Sequence, residues 1–549
     1  MVAARVIAHN TTTPFGRGSD TALTGVLQGK SVLTRQNADA WHVSRDFYAG
    51  IIEPTDTPKT ALSLAVDSIS DALGAIPTED VRQRILTGRT ALILSSTKGD
   101  LDMPLGDLAE SVNRQFGFSL PPMLISNACA SGVCALITAW RLLSCNMADY
   151  VVVCGVEVQS PFIIAGFQSL FAMSEEPCRP FSLNRTGMNV SEAAATVILS
   201  CDNTVCDNAW CIRLGSITND AYHNNAPSKT AQGAVEALQN VLQWSGIDLR
   251  QLACINLHGT ATMFNDEMES VALFRSGLSA LPAFSLKGYF GHTMGAAGVL
   301  ETIVSMLAVE QSFVPATLGY DDEPGTSRPI NVSSQPQTVN AGANNFLKLI
   351  SGFGGCNAAL LLSNDNTDGC GIALPLEAEM DIVATISLSY DGASLHDLYH
   401  SLGMSYPKFF KMDALSQLAF LATEMLLRDD ALAEEERFVS RSDRAVILFS
   451  HYGCMDTDRR FAETIGSFPS PTLFSYSLPN IPLSEICIRN NYHGEGSMYQ
   501  SASMDDGWMQ SIALATLRTT PGCTSLIFGH IDYVNDHDFH ATLVLAKRR

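Results

Sequence analysis

Ile125-Ser-Asn-Ala-Cys-Ala-Ser-Gly132 runs directly into Val133-Cys-Ala-Leu-Ile-Thr-Ala-Trp-Arg-Leu-Leu143. The first part is an apolar strand end that passes into small residues, and the second reads as a buried helix. The thiol of Cys129 therefore stands on an elbow at a helix N-terminus, where the positive end of the helix dipole favours the thiolate, the nucleophilic form. Ala128, Ala130, Ser131 and Gly132 are small enough to let a thioester come close. A cysteine in such surroundings is more often inert and buried than nucleophilic, so the reading depends on what stands around it.

Two histidines supply that context, each in a Gly/Thr-rich turn after an apolar strand: Ile255-Asn-Leu-His258-Gly-Thr-Ala-Thr262, and Lys287-Gly-Tyr-Phe-Gly-His292-Thr-Met-Gly-Ala-Ala-Gly298. Flanking glycines pack poorly but permit a sharp turn that points a side chain into a pocket. A fourth segment, Ile350-Ser-Gly-Phe-Gly-Gly-Cys-Asn357, could present backbone N–H groups to a developing oxyanion.

Around these segments, short Val/Ile/Leu-rich runs at 91–96, 150–155, 195–200, 253–257 and 358–362 alternate with helical patterns. Such alternation predicts an α/β fold with buried sheets. The chain of 549 residues exceeds what one core usually holds, and 46% hydrophobic with 16% charged residues describes a globular enzyme. A net charge of -22 argues against nucleic acid, whose phosphates need clustered Lys and Arg. Residues 1–16 lack the basic-then-apolar order of a signal peptide or anchor, and no apolar run reaches membrane-spanning length. The fourteen cysteines are scattered without metal-ligand spacing, which points to reduced, mostly buried thiols and a cytoplasmic setting.

Asn364 to Glu379 is richer in Asp, Asn, Gly and Pro, and a fresh strand-like run, Asp381 to Leu388, follows. The region beyond reads as a second copy of the first third. Arg444-Ala-Val-Ile-Leu-Phe-Ser450 matches Arg89 to Ser96, Ser501-Ala-Ser-Met-Asp-Asp-Gly507 matches Ser126 to Gly132, Ser525 to Gly529 matches Tyr150 to Gly155, and Ala541 to Ala546 matches Ala195 to Ser200. Four matches in one order suggest a duplicated lobe.

The four chemical segments, NACASG, HGTAT, KGYFGHTMGAAG and GFGGCN, resemble in sequence and order those of the β-ketoacyl synthases of the thiolase superfamily, over about residues 1 to 365. Arg179 to Gly187 with Glu192 is similar to a further family segment, with departures at Ser182, Thr186 and Ser191. The resemblance implies a duplicated five-layered αβαβα thiolase fold with Cys129 as nucleophile. It further implies His258 and His292 as hydrogen-bond donors to the thioester oxygen, and Lys287 as the group that tunes their charge. The N–H groups of Cys129 and Phe353 would hold the oxyanion, Thr260 and Thr262 the phosphopantetheine arm, and Glu301 and Asp266 would be structural partners. Two histidines point to the elongating branch, whose members condense an acyl group with malonyl-acyl carrier protein in fatty acid or polyketide synthesis. No metal or diffusible cofactor is implied.

Residues 381 to 549 resemble the N-terminal lobe of the same family, most closely the chain-length-factor-like proteins associated with aryl-polyene pigment synthases. There the nucleophile position holds Met504, whose thioether cannot form a thioester, so the lobe is expected to be inactive. The expected organisation is a catalytic domain at 1–365, a linker at 366–380 and the inactive lobe at 381–549. The chain would form a homodimer or, through its own second lobe, an intrachain pseudo-heterodimer. Gly166 to Ser174 resembles pigment-type synthases and points to an unsaturated aryl polyene chain. Two other readings stand beside this one: a thiolase-like acyltransferase that does not decarboxylate, and a non-catalytic chain-length or scaffolding partner.

Overall fold

Three stretches of the chain fold by one wiring plan, which explains the duplication visible in the sequence. The computed structural model describes residues 3–53, 59–202, 205, 210–364, 374–430, 437–503 and 505–549. The first stretch holds β1 (Ala4–Thr13), β2 (Thr90–Ser95), β3 (Met123–Ile125), β4 (Tyr150–Glu157) and β5 (Ala193–Ser200). The second holds β6 (Cys211–Asn219), β7 (Leu252–Asn256), β8 (Pro282–Phe284), β9 (Asn345–Gly352) and β10 (Cys356–Ser363). The third holds β11 (Met380–Ser389), β12 (Arg444–Ser450), β13 (Gly496–Gln500), β14 (Ser525–Asn535) and β15 (Asp538–Arg548).

In the first stretch the spatial order is β1-β5-β4-β2-β3, with antiparallel pairing at the β1 end and parallel pairing at the β3 end. The second repeats it as β6-β10-β9-β7-β8 and the third as β11-β15-β14-β12-β13, with the same sense at every step. This is the duplicated thiolase-type arrangement that the resemblance implies, extended by one further half. The kinship of the first and third stretches is visible in the residues themselves; that of the first and second is implied by the resemblance and is seen in the wiring.

Two helices form the central layer, α1 (Ser131–Ser144) and α2 (Ala297–Glu310), and every residue of both except Glu310 is buried. Their first turns cross at Gly132 and Gly298, where a Cβ on Gly132 would stand 2.9 Å from the Gly298 Cα. The small residues of both motifs are thus packing requirements. The third-stretch counterpart, α3 (Asp506–Thr519), buries Met509, Ile512, Ala513 and Leu517 but exposes Asp506 and Gln510. A helix with a sheet on one side only needs one apolar face.

The third lobe docks on its own chain. β13 pairs antiparallel with β3, setting Tyr499 opposite Ile125 and Gln500 opposite Leu124. Polar groups cross this junction: buried Arg141 donates to both carboxylate oxygens of buried Glu495 at 2.6 Å, buried Lys98 pairs with partly buried Asp458 at 2.6 Å, and buried Thr138 meets the Tyr499 hydroxyl at 3.1 Å. Met504 lies outside the described residues, as does most of the stretch read as a linker. The described cysteines are free thiols, and no helix among the described residues is long and apolar enough to cross a membrane.

Candidate active site

β3 ends at Ile125, and the chain then turns through Ala128 in a left-handed conformation (φ 49°) before a single 3-10 turn carries Cys129 into α1. Such backbone costs on the order of 1 kcal/mol or more in a non-glycine residue and persists only where neighbours over-determine it. They do: the Asn127 N–H donates to Ser131 Oγ at 2.8 Å, and the Asn127 side chain is gripped by β13. Burial pushes the Cys129 thiol up to about 12, with the Lys287 charge opposing it. The dipole of α1 favours the thiolate while enclosure favours the thiol, so the two oppose one another at this sulfur.

His258 follows β7 in a turn held from below, because the N–H groups of His258 and Gly259 both donate to the Glu269 carboxylate, at 2.6 and 2.7 Å. His292 follows Gly291 (φ 70°), and its own N–H donates to the Asn189 carbonyl at 2.7 Å. The Met294 N–H donates to His292 Nδ1 at 3.2 Å, so the neutral ring carries its proton on Nε2. That Nε2 and Nδ1 of His258 are buried without a hydrogen-bond partner among the described residues. The rings lie 5.0 Å apart, nearly perpendicular, and donor atoms of Cys129, His258 and His292 all lie within 4.8 Å of one another. Burial, reinforced by Lys287, holds both imidazoles well below the ordinary histidine value, so both are neutral at physiological pH.

Behind the rings, Glu301 bridges two buried lysines, at 2.5 Å to Lys287 and 2.8 Å to Lys348. Burial alone would raise the Glu301 carboxyl, but the two ammonium groups win and lower it. Burial also presses Lys348 down, against the pull of Glu301. Lys348 and Glu269 escaped the sequence reading. A lone lysine in Asn345-Phe-Leu-Lys-Leu-Ile-Ser-Gly352 was the available signal, since a buried charge needs a partner. Asp266 accepts from the N–H groups of Phe181 at 2.7 Å and Ala261 at 3.2 Å, tying the histidine turn to its neighbour. Three donors of this kind would suit a zinc-class ion, but the positive cluster behind them disfavours a bound cation.

The fourth segment closes over the thiol. A Cβ on Gly352 would stand 3.2 Å from the Cys129 nitrogen, so only glycine lets this loop approach the elbow without displacement. Gly354 has φ 83°, and Asn480 of the third lobe donates to the Phe353 carbonyl at 2.8 Å. Cys129, His258, His292, Phe353, Thr260 and Thr262 all line one cavity of about 360 Å³, and the two threonine hydroxyls are hydrogen-bonded to each other at 2.9 Å. Behind the cavity wall at Phe167, aromatic rings from two lobes meet: Phe162 and Phe461 at 4.7 Å, Phe167 and Phe474 at 5.1 Å.

Residues 106–204 match the family model described as "Beta-ketoacyl synthase, N-terminal domain", and residues 211–321 that described as "Beta-ketoacyl synthase, C-terminal domain". The chain is 30% identical over 283 residues to a putative mitochondrial 3-oxoacyl-[acyl-carrier-protein] synthase of Schizosaccharomyces pombe, and 30% over 269 residues to 3-oxoacyl-[acyl-carrier-protein] synthase 2 of Coxiella burnetii. These alignments take in 47% and 46% of this chain, and the chain spans 64% of the length of each relative. Among solved structures it is similar to the PfaC keto synthase–chain length factor, with a TM-score of 0.77 at 14% identity over 100% of this chain and 78% of the other. It also resembles the ketosynthase ApeO in complex with its chain length factor ApeC from Xenorhabdus doucetiae, with a TM-score of 0.58 at 24% identity over 66% of this chain and 98% of the other.

Proposed function

We propose that the chain is a β-ketoacyl-acyl carrier protein synthase that works through an acyl-Cys129 thioester. The observation that carries this reading is the pair of neutral, buried imidazoles beside the thiol, with His292 holding an unpartnered Nε2–H. A decarboxylation that leaves an enolate needs hydrogen-bond donors aimed at one oxygen, already oriented and shielded from water.

In the first half-reaction Cys129 attacks the thioester of an acyl carrier protein. The N–H groups of Cys129 and Phe353 stabilise the tetrahedral oxyanion, the carrier leaves as its thiol, and the acyl group stays on sulfur. In the second, malonyl carrier protein extends its arm past Thr260 and Thr262. Its carboxylate departs as carbon dioxide, and the bonding electrons become an enolate whose oxygen is held by His258 and His292. The enolate carbon attacks the acyl carbonyl, and the β-ketoacyl carrier protein leaves. The freed Cys129 sulfur takes up a proton. Lys287 with Glu301 and Lys348 keeps positive potential behind the histidines, which favours their neutral state.

The third lobe, in this reading, is a built-in chain-length partner without its own nucleophile. Phe474 packs from that lobe against Phe167, a residue of the cavity wall, which supports a role in setting product length, and the aromatic lining of Phe167, Phe171 and Phe353 suits an unsaturated aryl polyene chain. The test is carbon dioxide release from malonyl carrier protein, together with intact-protein mass spectrometry after incubation with acyl carrier proteins. A mass increase localised to Cys129 and stoichiometric carbon dioxide are expected. Acyl transfer without carbon dioxide would favour a thiolase-like transferase, and neither signal would favour a scaffolding partner.

A further inference from the structure

The three-fold repeat lets each position of the third lobe be read against its counterpart in the first. Glu157, at the end of β4, gathers backbone donors from Thr97 at 2.9 Å and from Gly295 of the second repeat at 2.9 Å. Asp532, at the matching place in β14, gathers Ser450 Oγ at 2.5 Å and the N–H groups of His451 and Tyr452 at 3.1 Å. The anchor is retained, but the second-repeat loop that covers Glu157 has no counterpart over Asp532 among the described residues.

What stands in that loop's place is polar. Gly155 in β4 lies against the loop, and a Cβ there would stand 2.9 Å from the Ala296 Cα. The strand registers put His530 at the position of Gly155 and His540 at that of Ala193. His530 is half-buried and His540 exposed. Imidazoles at these two positions also bar a lobe docked as the second repeat docks on the first.

We propose that His530, Asp532 and His540 form a binding site for a divalent transition metal of the zinc class. One ring nitrogen from each histidine and one Asp532 oxygen all lie within 4.8 Å of one another. His530 Nδ1 is 3.0 Å from His540 Nε2, and His530 Nε2 is 3.1 Å from Asp532 Oδ2. These two contacts use opposite nitrogens of the His530 ring, only one of which can face a single ion, so the ring must turn within the 4.8 Å cluster to bring three ligand atoms onto a tetrahedral zinc with bonds of about 2.0–2.1 Å. Two imidazoles and a carboxylate are a standard zinc donor set, and solvent access leaves the fourth position to water. The donors are also held in place, because β14 and β15 pair along their length with Asp532 opposite His540, and Asp532 Oδ1 is fixed by Ser450, His451 and Tyr452. This site lies apart from the Cys129 cavity and does not depend on the proposed condensation.

The experiment titrates Co²⁺ into the full chain carrying Cys129→Ala, which removes the other thiol–imidazole cluster, and follows visible absorption with Zn²⁺ as competitor. One saturable equivalent without sulfur-to-metal charge-transfer bands is expected. His530→Ala and His540→Ala should each weaken it by about tenfold or more. Because His540 is exposed, circular dichroism of His540→Ala should match its parent, which separates ligand loss from unfolding. Saturable binding unchanged in the His530→Ala/His540→Ala double variant, thiolate bands in the spectrum, or no saturation up to millimolar metal would each overturn the assignment.

Discussion

Asn127, two residues before Cys129, is held by Met498 of the third lobe: the Met498 N–H donates to Asn127 Oδ1 at 2.8 Å, while Asn127 Nδ2 donates back to the Gly496 carbonyl at 2.8 Å. The elbow that presents the nucleophile and the edge strand of a lobe hundreds of residues away are thus one hydrogen-bonded unit. Asn480 does the same for the opposite wall of the site by holding the Phe353 carbonyl. The third lobe therefore supports both candidate oxyanion donors.

Asn127→Ala should show this coupling. It leaves a donor and an acceptor of β13 buried and unpaired, at about 1–3 kcal/mol each. A lower melting temperature together with slower acylation of Cys129, read by intact-protein mass spectrometry, is expected. Loss of stability with unchanged acylation would limit Asn127 to a structural role.

Arg141 and Glu495 give a sharper test of lobe docking, because both are buried and meet through two 2.6 Å hydrogen bonds. Glu495→Ala leaves a guanidinium buried without its counter-charge, at a cost of about 3–5 kcal/mol. Arg141→Met combined with Glu495→Leu should recover most of that, since a buried ion pair adds little over apolar groups of similar volume. Urea unfolding of the three variants measures both effects.

The proposed chemistry predicts that its two half-reactions separate. Cys129→Ala should abolish acyl transfer and leave the fold intact, because Ala suits the tight elbow. His292→Ala should keep acylation of Cys129 while malonyl decarboxylation falls by roughly a hundredfold or more, as when one oxyanion donor is lost. Equal loss of both half-reactions would give His292 a part in activating the thiol instead.

The buried imidazoles also set a pH signature. Both pKa values are lowered, so protonation, which would add charge to an already positive cluster, comes only well below 6.5. A histidine of ordinary pKa would remain only about one quarter neutral at pH 6. Decarboxylation assayed at saturating malonyl carrier protein should instead stay nearly flat from pH 7.5 to 6. A midpoint near 6.5 would mean that the neutral pair does not perform this step.

Residues that announce themselves locally were legible in the sequence. Cys129, His258, His292 and the Phe353 loop sit in turns marked by glycines and small neighbours, and the third lobe betrayed itself by strands in repeated order. Glu269 and Lys348 were not legible, because their roles exist only through contacts: Glu269 reaches back under the turn of His258, and Lys348 crosses to Glu301 from another strand. The helix dipole at Cys129 can be read from local sequence, whereas the burial that opposes it is assembled through contacts. Asn480 was beyond reach for the same cause, since nothing near it in sequence hints that it touches the Phe353 loop.

Phe167, a residue of the cavity wall, is backed by a ring of the third lobe. Gly166 lies directly against the Phe474 ring of the third lobe, so closely that a Cβ at Gly166 would overlap it. Phe474 packs with Phe167, whose ring lies 6.2 Å from that of Phe353, so the contact forms a stop between the candidate oxyanion loop and the third lobe. If the lobe sets product length, shrinking the stop should lengthen the product. Phe474→Ala opens space and removes a large ring, at about 3–5 kcal/mol of stability; Phe474→Leu is the milder companion that keeps the fold. Both should shift products toward longer chains by one or more condensations, seen by mass spectrometry of carrier-bound products. Gly166→Ala pushes the other way by forcing the ring inward, and shorter products are expected. An unchanged product distribution in folded Phe474→Leu and Gly166→Ala would leave the third lobe as a support for the elbow and the oxyanion loop, with no hand in chain length.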